Sequence, residues 1–228
     1  MKTDVFIATE NYQKTSELVN ELIATAYGVE MAVITGRAGR GKPTAAERIY
    51  ATNPGTVYVL YQEGWSYIEL LREITFRLCG TRPRYRQTCF EMVANELAAK
   101  RRVIMIDEAD RMNLRCLNGV RNIHDICRVP VLMIGEEALA SHLEAERRLI
   151  SRVRASIAFA AVSQADVVVF FSQALGQKLT PDYAARLIKH AGGDFRRVLT
   201  GAVRAERIMR ASGIDTITDA VINAVVKI

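Results

Sequence analysis

Residues 31–45 read MAVITGRAGRGKPTA, and this stretch predicts how the chain folds. A short apolar run, 31–35, leads directly into a glycine-rich loop that matches the pattern Gly-x-x-x-x-Gly-Lys from Gly36 to Lys42. In that pattern a buried strand continues through the loop into a helix, and backbone N–H groups at the helix N-terminus bind phosphate. The stretch therefore predicts a strand, a phosphate-binding loop and a helix in succession.

The loop departs from the pattern at Pro43, where Ser or Thr is expected. That hydroxyl normally coordinates the magnesium ion of bound ATP, and proline also lacks a backbone N–H that would face phosphate. The fixed φ of proline suits the first helical turn, so the loop should still form. Thr44 is the next hydroxyl along, although its side chain points about 100° round the helix. A lost hydrogen bond to a charged group costs about 1.5–3 kcal/mol, so we expect ATP binding to survive and hydrolysis to be slow.

Apolar runs alternate with helical patterns over the first two thirds of the chain. The predicted strands are 31–35, 56–62, 102–107, 129–135 and 155–160. The predicted helices are 11–27, which Gly28 ends, 43–52, 66–79, 88–100, 114–127 and one more before the last strand. Strands that alternate with helices imply a parallel sheet covered by helices on both faces. The expected fold class is therefore α/β, with a parallel five-stranded sheet.

The character of the sequence changes after residue 162. The run VVVFF, 167–171, favours a strand by propensity. Ser163-x-x-Asp166 instead resembles a capping box and Gly176 is a helix stop signal, so helix is the favoured interpretation of the two. Further helices are predicted from Thr180-Pro181 to Gly192-Gly193, from Asp194 to about 211, and from Thr218 onward. The expected domains are a nucleotide-binding α/β domain with an N-terminal helix, 1–162, and a small all-helical domain, 163–228.

The motif VIMIDEAD, 103–110, places Asp107 and Glu108 at the carboxyl end of a buried strand. Ligand sites of open α/β sheets lie at that end. Asp107 would hold Mg²⁺ directly or through water, and Glu108 would polarise the attacking water. Two solvated carboxylates are the alternative, which the phosphate-loop pattern upstream disfavours.

Four segments together resemble an AAA+ ATPase over nearly the whole chain. They are GRAGRGK at 36–42, VIMIDEAD, SRV at 151–153 and GGDFRRV at 192–198, and the helical tail resembles the AAA+ lid. Within AAA+, the loop and VLMIGEEAL at 131–139 are similar to phage Mu B-type transposition proteins. The resemblance implies ATP and Mg²⁺ as cofactors. It also implies a homo-oligomer, ring or helical filament, that binds double-stranded target DNA and directs or activates a transposase.

The resemblance assigns further roles residue by residue. Arg152 matches the arginine finger that reaches a neighbouring subunit's γ-phosphate, and the choice between it and the nearby Arg147, Arg148 and Arg154 stays open. Arg196 matches the lid arginine called sensor 2. The resemblance thus gives Glu108, Arg152 and Arg196 as catalytic residues, Asp107 and Thr44 as metal ligands, and Gly36, Ala38, Gly39, Gly41, Lys42, Pro43, Thr44, Asp107 and Glu136 as nucleotide contacts.

Glu136 falls at the position called sensor 1, where the family more often has Asn or Thr. An acid there would repel phosphate unless it is paired, so the positioning of the attacking water is in doubt. Together with Pro43, this departure favours one alternative, a non-hydrolysing scaffold in which nucleotide only joins subunits. The intact Asp107–Glu108 pair argues against it. A second alternative is another AAA+ ATPase, resembling those that load helicases or energise secretion.

Charge and composition bear on the partners. The net charge is +6 and the pI about 9.3, which favours polyanionic partners. The candidate DNA contacts are Arg82, Arg84 and Arg86 in a basic loop and Lys100 and Arg101 before the third strand. The alternative for the loop is a solvated surface. No apolar run approaches the roughly 18 residues of a membrane span, so no membrane partner is expected. A polar start without a signal-peptide core favours the cytoplasm of a bacterium or a phage-infected host.

Overall fold

The computed structural model describes residues 2, 5–25 and 31–227, and the chain divides into two compact units. The α/β unit comprises Asn11–Arg37 and Lys42–Phe159. The helical unit comprises Met1–Glu10, Ala38–Gly41 and Ala160–Ile228. The domain division at 162 and 163 stays a prediction.

The elements of the α/β part follow one another in the predicted alternation. They are α1 (Glu10–Ala24), β1 (Met31–Thr35), α2 (Lys42–Thr52), β2 (Thr56–Leu60), α3 (Tyr67–Cys79), α4 (Arg86–Ala99), β3 (Val103–Asp107), α5 (Leu114–Cys127), β4 (Val131–Ile134), α6 (Ala138–Glu144), α7 (Arg147–Ile150) and β5 (Val153–Ala158). A short 3₁₀ turn, Ala109–Arg111, follows β3. The predicted stop of the first helix, Gly28, lies outside the described residues.

All strand pairs are parallel, in the order β2-β3-β4-β1-β5. The five-stranded parallel sheet is therefore confirmed. β5 begins two residues earlier than predicted, because Val153 pairs with Met31 of β1 and the polar Arg154 follows as a bulge before pairing resumes at Ala155. Since β1, β4 and β3 are neighbours and run the same way, the loops that follow them meet at one edge of the sheet.

Successive strand residues face opposite sides of the sheet, and helices cover both sides. On one face, residues such as Val33 and Ile106 pack in a cluster with buried residues of α3, α4 and α5. On the other, residues such as Ile34 and Met105 pack with buried residues of α1 and α2. Burial on both faces explains why these strands read as continuous apolar runs.

The helical unit contains α8 (Gln164–Leu175), α9 (Pro181–Ala191), α10 (Phe195–Ser212) and α11 (Asp219–Val226). The valine-rich run 167–171 is helical, as favoured. Ser163 and Asp166 form a capping box, and Gly176 ends the helix with φ 68°. Val167, Phe170 and Phe171 then face the core of this unit, so tertiary burial and the caps outweigh the strand propensity of valine.

Ala38–Gly41 packs against the start of α10 within the helical unit. The Phe195 N–H donates to the Gly39 carbonyl at 2.9 Å, and Arg40 Nη1 donates to the Gly193 carbonyl at 2.6 Å. A Cβ on Gly39 would lie 2.0 Å from Asp194 Cγ. Asp194 caps α10 by accepting from the Arg196 N–H at 2.8 Å, so it has little freedom to move aside. Gly39 is thus required by close packing.

We predict that Gly39→Ala lowers the melting temperature more than Gly41→Ala. Both glycines have positive φ, 78° and 86°, so alanine costs about 1–2 kcal/mol at either position. Gly41 has open space around it, whereas alanine at Gly39 must also displace the Asp194 cap, at about 0.5–2 kcal/mol. Thermal denaturation followed by circular dichroism measures both. Equal shifts would contradict the packing argument.

Candidate nucleotide-binding site

Lys42 is the first residue of α2 and is buried, with 7% of its surface exposed. Its Nζ donates to the carbonyl oxygens of Gly36 at 2.6 Å and Arg37 at 3.1 Å. The loop backbone therefore holds the ammonium group where β1 ends. A Cβ on Gly41, just before the helix, would meet no atom within 4 Å, which leaves room for a ligand to approach the backbone.

Lys42 lies among carboxylates. Burial has the largest effect and lowers the pKa of Lys42, while Glu136, Asp107, Asp110 and Glu108 act in the opposite direction. The negative charges of four acidic side chains thus act on one ammonium group. A triphosphate would add further negative charge, so the site fits a nucleotide only together with a cation.

The carboxylate of Asp107, the last residue of β3, is 1% exposed and fixed at both oxygens. Oδ1 accepts from the Glu108 N–H at 2.8 Å, and Oδ2 accepts from the Tyr58 hydroxyl at 2.9 Å. Burial raises the pKa of Asp107, more than hydrogen bonds and Lys42 lower it. Each oxygen keeps a free lone pair, so the group is a pre-oriented cation ligand.

Glu108 has φ 58° and ψ 33°, in the left-handed region. A non-glycine residue there costs about 1–3 kcal/mol, and such strain clusters at functional sites. Its carboxylate accepts from Arg111 Nε at 2.8 Å, across the 3₁₀ turn. Arg111 is also 3.7 Å from Glu63. The turn and the arginine therefore fix the direction of the side chain expected to act on water.

Glu136 is brought to the same edge by the loop after β4. Its N–H donates to Asp110 Oδ1 at 2.9 Å, and the Gly135 N–H donates to the Ile34 carbonyl at 3.0 Å. A Cβ on Gly135 would lie 2.4 Å from the same Asp110 oxygen. Asp110 thus joins the loops after β3 and β4. It lies in the quoted motif, but sequence spacing alone does not show that its side chain turns toward Glu136.

The predicted nucleotide residues fall into groups. Gly36, Lys42, Asp107, Glu108 and Glu136 belong to the α/β unit, at the edge just described. Pro43 and Thr44 are exposed in the first turn of α2, while Ala38, Gly39 and Gly41 group with the helical unit. Arg196 is in the first turn of α10, 72% exposed and 3.9 Å from Asp194.

Arg152, the predicted finger, is engaged within its own chain. Its Nε and Nη2 donate to the two carboxylate oxygens of Asp125 at 3.2 and 3.3 Å, and Nη1 donates to Ser151 Oγ at 2.9 Å. The pair lines an open pocket of about 330 Å³. Arg147 and Arg148 are exposed on α7, with no ion pair to any described residue. A finger at Arg152 must therefore exchange Asp125 for phosphate.

The basic loop is attached to α3 by charged contacts. Arg82 Nη2 lies 2.6 Å from Glu73 Oε2, and its guanidinium lies over the Phe76 ring, 3.6 Å from the centroid. Burial raises the pKa of Glu73, but the hydrogen bonds from Arg82 and Arg77 lower it by more. Arg72 donates to the carbonyls of Pro83 at 2.9 Å and Arg84 at 2.5 Å. Arg82 therefore holds the loop in place.

The other predicted DNA contacts differ in how free they are. Arg84 and Arg86 are exposed, and Tyr85 between them is 67% exposed. Lys100 is exposed, whereas Arg101 is half-buried and donates to the Thr25 carbonyl. The side chains available to a polyanion are thus Arg84 and Arg86 at the start of α4 and Lys100 at its end.

ATP and Mg²⁺ fit this donor set. Within the described residues no group of three or more His, Cys, Asp or Glu side chains could hold a metal ion alone. Mg²⁺ is typically bound by one or two carboxylates together with substrate phosphates and water, and Asp107 supplies one carboxylate. The residues suit a cation that arrives with its nucleotide.

Comparison with known proteins accords with this geometry. The sequence matches the family described as AAA domain over residues 26–143, just over half of the chain. The chain belongs to this family. The resemblance to AAA+ ATPases drawn from the four segments is therefore confirmed. In the described part of this AAA domain protein, no helix is long and apolar enough to cross a membrane.

Two phage proteins are similar in sequence. The ATP-dependent target DNA activator B of Escherichia phage Mu is 26% identical over 145 residues, which cover 60% of this chain and 46% of that protein. Its counterpart from Escherichia phage D108 matches to the same extent. The chain thus spans less than half the length of these relatives.

Two archaeal structures share the fold. Cdc6p from Pyrobaculum aerophilum superimposes with a TM-score of 0.71 at 14% identity, covering 98% of this chain and 67% of that one. The Aeropyrum pernix ORC2 protein, solved as ADPNP and ADP complexes, gives 0.68 at 15% identity, covering 99% and 69%. At these identities the likeness shows the fold alone.

Asp107→Asn should raise the melting temperature of the ligand-free protein at pH 7 by a few degrees. The folded-state pKa of Asp107 is raised, so ionisation costs stability as pH rises above the unfolded value of about 3.9. Asparagine carries no charge; its one carbonyl oxygen accepts from the Glu108 N–H, while its amide N–H donates to the Tyr58 hydroxyl oxygen. Differential scanning fluorimetry should show the gain at pH 7 and its disappearance below about pH 4. A variant less stable than wild type at pH 7 would contradict this account of Asp107.

Proposed function

We propose that the protein is an ATP-dependent DNA-binding AAA+ ATPase that oligomerises on target DNA and directs or activates a transposase. The observation that carries the nucleotide part is the placement of Lys42 beside the end of β1 and of Asp107 and Glu108 at the end of β3, two strands of one parallel sheet. The target-DNA part is supported by the similarity to the target DNA activators of phages Mu and D108. The transposase is proposed on that similarity as well.

Each residue has a defined task in this proposal. Lys42 and the loop N–H groups bind the phosphates, and Asp107, with Thr44, would hold Mg²⁺. The ion, when bound, neutralises negative charge on the phosphates. Glu108, oriented by Arg111, accepts a hydrogen bond from the attacking water and polarises it. The hydrogen bond from the Glu136 N–H to Asp110 holds the loop after β4 beside the segment after β3 that carries Glu108.

Arginines complete the site in the oligomer. Arg152 acts on the nucleotide of the neighbouring subunit, where its planar charged group suits the γ-phosphate. Asp125 satisfies Arg152 until that contact forms, because the same two donors serve either anion. Arg196 takes the role of the lid arginine called sensor 2. Hydrolysis is thus coupled to assembly.

DNA binding is assigned to the exposed cations of the α3–α4 region. Arg84 extends from a loop whose backbone is fixed by Arg72 and Arg82, and Arg86 is the first residue of α4, so little ordering is needed on binding. Lys100 adds a third charge. Contacts of this kind neutralise phosphates without reading bases, so we expect weak sequence preference and strong salt dependence.

A second candidate function is the non-hydrolysing scaffold. Pro43 leaves the loop without the usual hydroxyl, and Glu136 places a negative charge where the family more often has Asn or Thr. Both features slow hydrolysis without preventing nucleotide from joining subunits.

Electron microscopy of the protein on duplex DNA, with and without ATP, tests the proposal. We expect rings or filaments on DNA with ATP and none without it. A strand-transfer assay with a candidate transposase should then show ATP-dependent stimulation. Assembly that ignores nucleotide, or no assembly at all, would contradict the proposal.

The double variant Arg84→Ala/Arg86→Ala should weaken duplex binding and reduce the slope of log K against log salt by about 1.8, or 0.9 for each lost phosphate contact. The matched control, Lys178→Ala/Arg207→Ala, removes two exposed charges from the helical unit and should keep the slope. Fluorescence anisotropy between about 50 and 200 mM salt measures both. Equal losses would show that only net charge matters.

Arg82→Ala should instead lower the melting temperature, because Glu73 loses a partner.

A further inference from the structure

A tyrosine from the neighbouring strand reaches the candidate metal ligand. Tyr58 lies in β2, in register with Met105 of β3, and its side chain lies on the sheet face covered by α1 and α2. Its ring is 8% exposed, and its hydroxyl donates to Asp107 Oδ2 at 2.9 Å. Forty-nine residues separate the two in sequence. No motif in the chain marks Tyr58.

Tyr58 supplies a side-chain hydroxyl, the group that a Ser or Thr at position 43 would have and that Pro43 lacks. The phosphate-loop pattern places Ser or Thr after the lysine, and that hydroxyl lies close to the metal and its carboxylate. Pro43 has no donor at all, on side chain or backbone. We propose that Tyr58 is a positioning residue for Asp107, supplying from β2 a hydroxyl that replaces part of the role of the missing loop hydroxyl. This inference rests on the proposed binding of MgATP.

Tyr58 acts through Asp107 and not as a ligand itself. A tyrosine hydroxyl is protonated at neutral pH, and here it donates a hydrogen bond to Asp107 Oδ2. With the Glu108 N–H on Oδ1 and Tyr58 on Oδ2, both oxygens are held and the plane of the carboxylate is fixed. One lone pair on each oxygen remains for a cation.

Tyr58→Phe removes this hydrogen bond alone, because phenylalanine keeps the ring that packs beside Tyr50 at a centroid distance of 6.1 Å. Tyr50→Phe is the matched control. It removes a hydroxyl from the other member of the same ring pair, on α2, where the side chain is 40% exposed and its hydroxyl does not contact Asp107. If loss of a hydroxyl disturbs the packing of this ring pair, the effect should appear in both variants.

Calorimetry of ATP binding with Mg²⁺ and with EDTA tests the proposal. In Tyr58→Phe the Mg²⁺-dependent gain in affinity should fall about tenfold to a hundredfold, the cost of a hydrogen bond to a charged group. Affinity in EDTA should be unchanged, as should both values in Tyr50→Phe. Pro43→Thr should raise the Mg²⁺-dependent gain in ATP affinity in both backgrounds. The increase should be larger in Tyr58→Phe than in wild type.

Each contrary result has a distinct meaning. If wild type binds MgATP and Tyr58→Phe keeps the full Mg²⁺-dependent gain, the inference is overturned while the proposed function stands. If the gain is lost but Pro43→Thr does not recover it, the replacement of the loop hydroxyl is overturned. If wild type binds no nucleotide, both proposals fail. A nucleotide-free double-mutant cycle of Tyr58→Phe with Asp107→Ala, which removes both carboxylate oxygens, should be non-additive in thermal denaturation. Additive shifts would overturn the hydrogen bond itself.

Discussion

The ammonium group of Lys42 donates to the loop carbonyls of Gly36 and Arg37 where β1 ends, and the charges of four carboxylates act on it. The parallel order of β3, β4 and β1 imposes this arrangement, since it places the loops after all three strands at one edge. Negative charge therefore exceeds positive charge at the site. The excess suits a cation bound with polyphosphate and makes Asp107 costly to bury in its absence.

The same chain uses its arginines in two distinct ways. Arg82, Arg72 and Arg152 pair with carboxylate or carbonyl groups of their own chain, so they fix local structure. Arg84 and Arg86 are exposed beside a fixed backbone and remain available to an external anion. A basic composition alone does not separate these roles. The contacts of each arginine indicate its role. The exposed Arg84 and Arg86 are candidates for DNA contact, whereas Arg152 must leave Asp125 if it contacts a neighbouring subunit during assembly.

Much of the fold follows from local sequence. The strand before Gly36, the helix after Ser163 and the five parallel strands are marked by apolar runs, caps and stop signals, and the structure confirms them. The contacts that set the site's chemistry are non-local. Tyr58 meets Asp107 across 49 residues, Arg152 meets Asp125 across 27, and Glu136 meets Asp110 across 26. Spacing in one sequence cannot reveal such pairs, because strand order and register bring them together.

The central claim is that the site binds MgATP despite Pro43 and that the proline slows the chemical step. Steady-state ATP turnover of wild type and Pro43→Thr, with duplex DNA present, tests it most directly. Slow turnover is expected for wild type, about ten- to a hundredfold faster turnover for the variant, and a smaller change in ATP affinity, because the restored contacts tighten as charge shifts in the transition state. Unchanged turnover in Pro43→Thr, with Glu108→Gln abolishing it, would contradict the claim that the proline limits the rate. No turnover in either protein would favour the scaffold.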